Sequence, residues 1–444
     1  MPEPPAMAQP VLVVGGGWAG LSAAATLCAH KIPVLLLESA RQLGGRARSI
    51  RVGDTIVDNG QHLMIGAYQS LLTLMQKIGV APDDAFERLP LVLQLYRGNK
   101  ISLRLKAARL PAPFNRLFAL LGAQGLSAGE KLKALQFTRR LAKLGNDLVE
   151  DISVQALLHS EAQSPGAIAK LWEPLCVATL NTPIHLASAR LFISVLQTTF
   201  TGPARHSDLL IPRVELSDLL PGPCADFLER NGSRVELGQR VTAIGLDAHG
   251  IKGVYVDKRK IESRHVILAT PHVITRRLLS RQLPLQKLAG ELAELGHEPI
   301  STLYLQYSTD TRLPLPMVGL EGTLTQWVFD RRICDQPGLM AVVISARGEH
   351  MNLPADSLTS RVAMELATSF PHWPRHQSSH LIREKRATFC ARAGVDAHRP
   401  VDGTPVTGLW LAGDYTATGL PATLEGAVYS GERCARHVLR SLTE

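Results

Sequence analysis

The chain has 444 residues, of which 45% are hydrophobic and 20% charged, and a formal net charge of +9. That length exceeds one ordinary core, so two domains are expected, and the composition excludes a disordered or low-complexity chain. No run of eighteen apolar residues occurs, which excludes a membrane-spanning helix but leaves attachment to a membrane surface open. The opening MPEPPAMAQP lacks the basic and apolar regions of a secretory signal, and Met7 is a candidate start. Six scattered cysteines without a C-x-x-C pair argue against a zinc site or a disulfide framework and fit a reducing compartment.

In chain order, Val11 to Val14 read as a short buried strand and Ala23 to Ala29 as a helix packed on its sheet. Between them Gly15-x-Gly17-x-x-Gly20 has the spacing of a dinucleotide-binding turn. Gly15 makes the tight turn, Gly17 lets the backbone approach a pyrophosphate, and Gly20 allows close helix–strand packing, with Trp18 and Ala19 in the same turn. The helix N-terminus offers its N–H groups to the phosphates. A second apolar strand, Val34 to Leu37, ends at Glu38, beside Ser39. It lies about 20 residues on, where an acidic residue takes the adenosine ribose hydroxyls. Gly44-Gly45-Arg46 then places a guanidinium where it reaches the pyrophosphate or flanks it. A strand-like Thr55 to Val57 leads into Asp58-Asn59-Gly60-Gln61-His62.

From about Leu95 to Thr201 the apolar residues take helical spacing, punctuated by Pro111, Pro113, Gly122, Gly125 and Pro165. Between Arg97 and Lys143 there are eleven Lys or Arg against one acid, Glu130. Leucine and phenylalanine beside these cations make the segment either a surface-seeking amphipathic element for anionic lipid or a solvated basic face; no nucleic-acid motif accompanies it. Strands are expected over Val235 to Val241, Val254 to Val256, Val266 to Ala269, Thr302 to Tyr307, Thr325 to Phe329 and Leu339 to Ser345, and a helix over Ser357 to Phe370. Leu409 to Ala412 reads as a buried strand before Gly413-Asp414-Tyr415, and Thr423-Leu424 opens the final helix. No second G-x-G-x-x-G follows a strand, so no nicotinamide domain is expected and electrons enter or leave by another route.

The order of fingerprint, Gly44-Gly45-Arg46 and Asp58-x-Gly60 resembles the flavin-dependent amine oxidase and carotenoid desaturase superfamily. Within it, three stretches resemble the squalene-associated branch, the hydroxysqualene dehydroxylases of bacterial hopanoid pathways. They are Asp58 to Tyr68, Leu171-Trp172-Glu173-Pro174-Leu175 with Thr179 to Pro183, and Gly413-Asp414-Tyr415 with Gly419 to Gly426. Tyr415 departs from the tryptophan expected there, and Leu315 to Arg332 is the stretch that matches least well. The resemblance implies an α/β, amine-oxidase-like two-domain architecture. Residues 7–95, 206–275 and 403–444 would form a Rossmann-like, glutathione-reductase-type FAD-binding domain. Residues 96–205 and 276–402 would form an inserted α+β substrate domain, with a helical, membrane-docking part at 105–145.

The same resemblance implies non-covalent FAD at Gly15, Gly17, Trp18, Ala19, Gly20, Glu38, Ser39, Gly45, Arg46, Gly60, Gln61, His62, Val241, Gly413, Asp414, Thr423 and Leu424. Cys390 lies where some amine oxidases link their flavin, but it lacks the accompanying glycine-rich turn. The implied reaction is reductive dehydroxylation of hydroxysqualene to squalene, with hydride from reduced flavin and an external electron donor. The implied partners are a long-chain isoprenoid substrate, an anionic membrane at the inner face of the cytoplasmic membrane and upstream squalene-pathway enzymes, with no nucleic acid and no metal. His62 is the first candidate for the proton donor, since imidazole titrates near neutrality; the alternative is that it only hydrogen-bonds backbone or FAD. Glu173, a carboxyl among Trp172, Pro174 and Leu175, is the second, with a structural hydrogen bond as its alternative. A phytoene-type carotenoid desaturase and a flavin amine oxidase are the rival activities.

Overall fold

Four consecutive apolar residues without alternation need cover on both faces, the condition of an inner strand in a parallel sheet. In the computed structural model, which describes residues 9–107, 114–147, 150–200 and 202–443, Val11–Val14 meets that condition. It is buried throughout and pairs in parallel with Val34–Leu37 on one side and Val266–Leu268 on the other. Arg234–Glu236 and Leu409–Leu411 complete a five-stranded parallel sheet. The strand expected over 235–241 is therefore two elements. Gly238, at a φ of 72°, breaks it, and Val241–Asp247 begins a separate antiparallel sheet with Gly250–Val256 and Arg259–Glu262.

Small residues decide how helices cover the parallel sheet. Trp18–Ala29 carries Ser22, Ala23, Ala24 and Ala25, all buried, so neighbouring backbones can come close. The last helix, Leu424–Ser441, lies so near that a Cβ on Gly431 would stand 2.1 Å from the Ala19 carbonyl oxygen. Ser22 Oγ donates to the Val428 carbonyl at 2.7 Å across the same contact.

The second sheet has seven strands, in the order Ser378–Thr388, Glu298–Gln306, Leu339–Ser345, Trp327–Asp330, Met317–Leu320, Val92–Arg97, Lys100–Lys106. Neighbours are antiparallel except Met317–Leu320 with Val92–Arg97. Its side chains alternate: Leu303 and Leu305 pack under the helix Ala355–Ser369, while Tyr304, Ala341 and Val343 face the opposite way, into the largest core. That core is closed by helices Val154–Ser160, Glu173–Leu180 and Ala189–Phe200.

Two expectations need correction here. Val92–Arg97 straddles the domain boundary drawn at 95/96 and belongs wholly to the seven-stranded sheet. Lys100–Lys106, expected to be helical, is a strand, because the alternation that buries Leu103 and Leu105 outweighs the leucine content of the surrounding window. Met7 and Arg109 lie outside the described residues.

The helix contact at Gly431 yields a stability test. Gly431→Ala should cost about 1–3 kcal/mol, because its Cβ meets backbone that cannot turn aside. Gly290→Ala, in a helix where the added Cβ meets nothing within 4 Å, should gain about 0.5–1 kcal/mol. Urea unfolding of both variants reads the two signs.

Candidate functional site

The three glycines of the first turn are constrained for different reasons. Gly15 holds a φ of 110°, and a Cβ there would stand 2.6 Å from the Ala269 carbonyl oxygen; one on Gly20 would stand 1.9 Å from the Gly15 carbonyl oxygen. At Gly17 an added Cβ would meet nothing within 4 Å. Packing thus requires the first and third glycines, while the second faces open space at a helix N-terminus, the cradle that a pyrophosphate requires. The Gly44-Gly45 loop lies alongside, with the Gly44 N–H on the Gly16 carbonyl at 2.8 Å. The Trp18 indole is buried and donates to the Ala47 carbonyl at 2.8 Å, so this side chain pins the second loop to the first.

Glu38 ends its strand with a carboxylate that accepts from the Gly16 N–H at 2.6 Å, the Ala40 N–H at 2.7 Å and Ser39 Oγ at 3.1 Å. The Gln239 N–H on the Glu38 carbonyl brings the start of the Val241 strand to the same corner. Arg46 reaches the C-terminal motif: Nη2 contacts Asp414 Oδ1 at 2.7 Å, and Nη1 donates to the Ala387 carbonyl at 2.6 Å. Thr423 caps the last helix by accepting from the Gly426 N–H at 3.0 Å. Glu425 instead caps another helix, accepting from the N–H groups of Ser70 and Leu71.

The turn 58–62 is held beside these loops. The Asn59 N–H donates to the Arg48 carbonyl at 2.8 Å, and Asn59 Nδ2 to the Arg46 carbonyl at 3.2 Å. Gly60 takes a φ of 129°, and an added Cβ would lie 3.6 Å from Thr302 Oγ1 and 3.8 Å from His62 Cε1. His62 Nδ1 lies 2.8 Å from the Gly60 carbonyl; since that oxygen only accepts, Nδ1 carries the hydrogen and Nε2 is left as the acceptor. Burial lowers the His62 pKa, opposed by the Gly60 bond and Asp58, so the ring is predominantly neutral at pH 7.

Glu173 lies on another element, the helix Glu173–Leu180. It opens its helix after a wide turn at Ile168–Trp172, is exposed, and hydrogen-bonds to no residue of 58–62. Desolvation raises its carboxyl pKa, opposed by His185. The flanking motifs are structural. Trp172 Nε1 donates to Gln163 Oε1 at 2.9 Å, and Asn181, at a φ of 49°, gives its amide to Pro299 and Thr388 and accepts from the Ala346 N–H.

Sequence reasoning missed several residues of this region. Arg399, with a fully buried side chain, donates through Nη2 to the carbonyls of Asp414, Thr416 and Leu420 and pairs with Asp396, shaping the loop after Gly413. Arg331 pairs with Asp58 at 3.0 Å, Thr302 faces Gly60, and the Tyr304 hydroxyl donates to the Asp58 carbonyl at 2.9 Å. None lies in a spaced motif; only the tertiary fold brings them here.

A cavity of about 690 Å³ is lined by Leu89, Pro90, Val92, Ala107, Leu209, Ile211, Leu315, Pro316, Met317 and the exposed Lys106. Leu209 and Leu210 pair with Ile65 and Met64, just past His62.

A family model for flavin containing amine oxidoreductase matches residues 18–439. Hydroxysqualene dehydroxylase from Sinorhizobium fredii is 28% identical, covering 97% of this chain and 98% of its own. The Rhodopseudomonas palustris protein of the same name is 27% identical, covering 98% and 99%. Zeta-carotene desaturase from Arabidopsis thaliana is 24% identical, covering 98% and 87%. Among solved structures, an oxidoreductase from Methanosarcina mazei superposes with a TM-score of 0.75 at 17% identity, covering 97% of this chain and 99% of that one, a likeness of fold.

His272, buried at the start of its helix near Asp414 and Tyr415, makes this region acid-sensitive. Desolvation, opposed by Asp414, pushes its pKa down to about 4. The unfolded chain binds that proton near pH 6.5, while the folded ring refuses it until about pH 4, so stability is lost as pH falls. Between pH 7 and pH 5 the loss through His272 should be about 2 kcal/mol, and His272→Asn should flatten that part of a denaturation-against-pH curve.

Proposed function

The chain belongs to the flavin containing amine oxidoreductase family, and on that premise we propose that it converts hydroxysqualene to squalene by reductive dehydroxylation. It is an FAD-dependent oxidoreductase. The observation that carries the substrate reading is the cavity of about 690 Å³, whose lining is apolar apart from Lys106 and includes Leu209, the strand partner of Ile65. Such a lining favours a long isoprenoid and supplies neither a carboxylate nor an aromatic cage for an amine. Tyr415, the aromatic beside Asp414, is buried with its hydroxyl 3.1 Å from Thr275 Oγ1, so it gives an amine no open face.

The open cradle at Gly17 supports the cofactor assignment. In this reading Gly15, Gly17, Trp18, Ala19 and Gly20 take the pyrophosphate on backbone, and Gly45 and Arg46 flank it together with Gly413 and Asp414. Glu38 and Ser39 take the adenosine ribose, and Val241 backs the adenine. Gly60, Gln61 and His62 lie at the isoalloxazine, with Thr423 and Leu424 at its pyrimidine edge, where a helix N-terminus favours negative charge. The attachment is non-covalent: burial and Glu298 push the Cys390 thiol up to about 11, which leaves little thiolate to attack.

The reaction breaks the allylic C–O bond, the oxygen leaves as water after taking a proton, and a hydride occupies the vacated carbon. Reduced FAD, when bound, supplies that hydride. The chain's own part is to hold the apolar substrate, exclude water and carry the proton, which we place on His62 Nε2, the ring nitrogen left free by the Gly60 bond. Because burial lowers the His62 pKa, its protonated fraction, and turnover with it, should rise as pH falls from 8 towards 6. The test is anaerobic: reduce the enzyme with dithionite, add hydroxysqualene, and follow flavin absorbance and lipid products across that pH range. Reoxidised flavin with squalene is the expected result, and His62→Gln should remove the acid limb. Equivalent loss in Glu173→Gln would move the proton to Glu173. Inert reduced flavin, with oxidised enzyme bleached by phytoene, would replace this reading with desaturation.

Attachment to an anionic membrane at the cytoplasmic face is part of the proposal. No helix among the described residues is long and apolar enough to cross a membrane. Helices Phe114–Leu121 and Ala128–Asp147 expose Phe118, Leu121 and Leu132 by 51%, 49% and 54%, near the exposed cations Lys133, Arg139 and Lys143. Apolar anchors among cations suit an acidic lipid surface. Changing Lys131, Lys133, Arg139 and Arg140 to Ser should release the protein from anionic vesicles in a pelleting assay, and added salt should do the same to the wild type. Retention in both cases would favour a purely apolar attachment or a partner enzyme.

A further inference from the structure

We propose that Arg331 is a positioning residue for the reaction, setting the place of the 58–62 turn against the wall of the cavity. This rests on the reading of that turn as the one beneath the cofactor.

Arg331 and Asp58 have side chains only 1% and 3% exposed. Arg331 Nη1 donates to Asp58 Oδ2 at 3.0 Å and to Gln61 Oε1 at 2.9 Å, one on each side of Asn59-Gly60. Nε donates to Gln336 Oε1 at 2.6 Å, and Gln336 Nε2 donates in turn to the Ile56 carbonyl at 2.6 Å. One planar cation therefore holds the strand before the turn, the residue that enters it and the residue that nearly completes it. On the other side, Arg331 follows Asp330, whose N–H donates to the Pro316 carbonyl at 3.0 Å and whose Oδ2 accepts from the Leu313 N–H at 3.1 Å. Pro316 lines the cavity. The cavity wall and the turn are thus referenced to two consecutive residues, Asp330 and Arg331.

Stability alone does not account for such a pair. Well-packed apolar residues of similar volume often hold a core as well as a buried ion pair does, whereas a rigid fork with two bonds at fixed angles fixes position. Arg331 Nη2, moreover, is buried without a hydrogen-bond partner.

The test uses FAD-loaded enzyme carrying Arg331→Lys, Arg331→Met or Gln336→Leu. Gln336→Leu removes the Arg331 Nε bond, touches no residue assigned to the cofactor and leaves the Asp58 pair intact, and so guards against a variant that fails to fold. The visible spectrum and midpoint potential of the bound flavin come first, because they need no substrate and stay informative if hydroxysqualene is not turned over. All three variants should shift both. With substrate, kcat should fall roughly 100-fold in Arg331→Met, with KM nearly unchanged and partial rescue by lysine, as expected of reacting groups displaced by about 1 Å. Variants that keep the wild-type spectrum, potential and kcat at full FAD occupancy, losing thermal stability alone, would overturn the proposal. If Arg331→Met does not fold, Gln336→Leu decides by the same readings.

Discussion

The half built on the parallel sheet depends on backbones approaching more closely than any side chain permits. The Gly15 carbonyl lies where a Cβ of Gly20 would be, the Ala269 carbonyl stands against Gly15, and the Ala19 carbonyl stands against Gly431. These contacts set the first helix onto its sheet, the last helix onto the first, and the turn between them against the strand Val266–Leu268. Once they are made, the orientation of the first helix N-terminus follows, and so does the open space at Gly17. A glycine does different work at each place: a positive φ at Gly15, and room for a neighbour at Gly20 and Gly431.

The second half is held differently. Its sheet is built by side-chain alternation, with one face under Ala355–Ser369 and the other towards the site, and it joins the first half through polar side chains. Arg46 reaches the Ala387 carbonyl, Arg331 reaches Asp58 and Gln61, the Tyr304 hydroxyl donates to the Asp58 carbonyl, and Gln336 Nε2 donates to the Ile56 carbonyl. Each uses acceptors that a strand or turn would otherwise leave unpaired. The junction is consequently specific in register, and the groups that face the cavity inherit that register.

The parallel sheet was legible in the sequence because inner parallel strands are short continuous apolar runs, and the fingerprint was legible because its glycines answer to local geometry. Glu38, Arg46 and Asp414 were singled out by their places beside those signals; in the structure Glu38 accepts from the Gly16 N–H and Arg46 pairs with Asp414. The strand Lys100–Lys106 was lost in a leucine-rich window, and the boundary at 95/96 with it, since alternation and helical periodicity are hard to separate over a few residues. Glu173 was nominated for its apolar neighbours in sequence, yet those neighbours face the core while the carboxyl is exposed. Arg331 and Arg399 carry no local mark at all: what makes them consequential is which distant carbonyls and carboxylates they meet.

The parallel sheet places Leu409–Leu411 beside Val266–Leu268, which itself lies beside Val11–Val14, and Ser22 bonds to a residue 406 positions away. The first and last motifs are therefore parts of one object that the ribosome makes at opposite ends of its work. Until the strand at 409 and the helix at 424 emerge, Val266–Leu268 is an unpaired sheet edge and Arg46 lacks Asp414. The parallel sheet is in that sense completed late, and the nascent protein must protect an apolar edge while residues 269–408 are made.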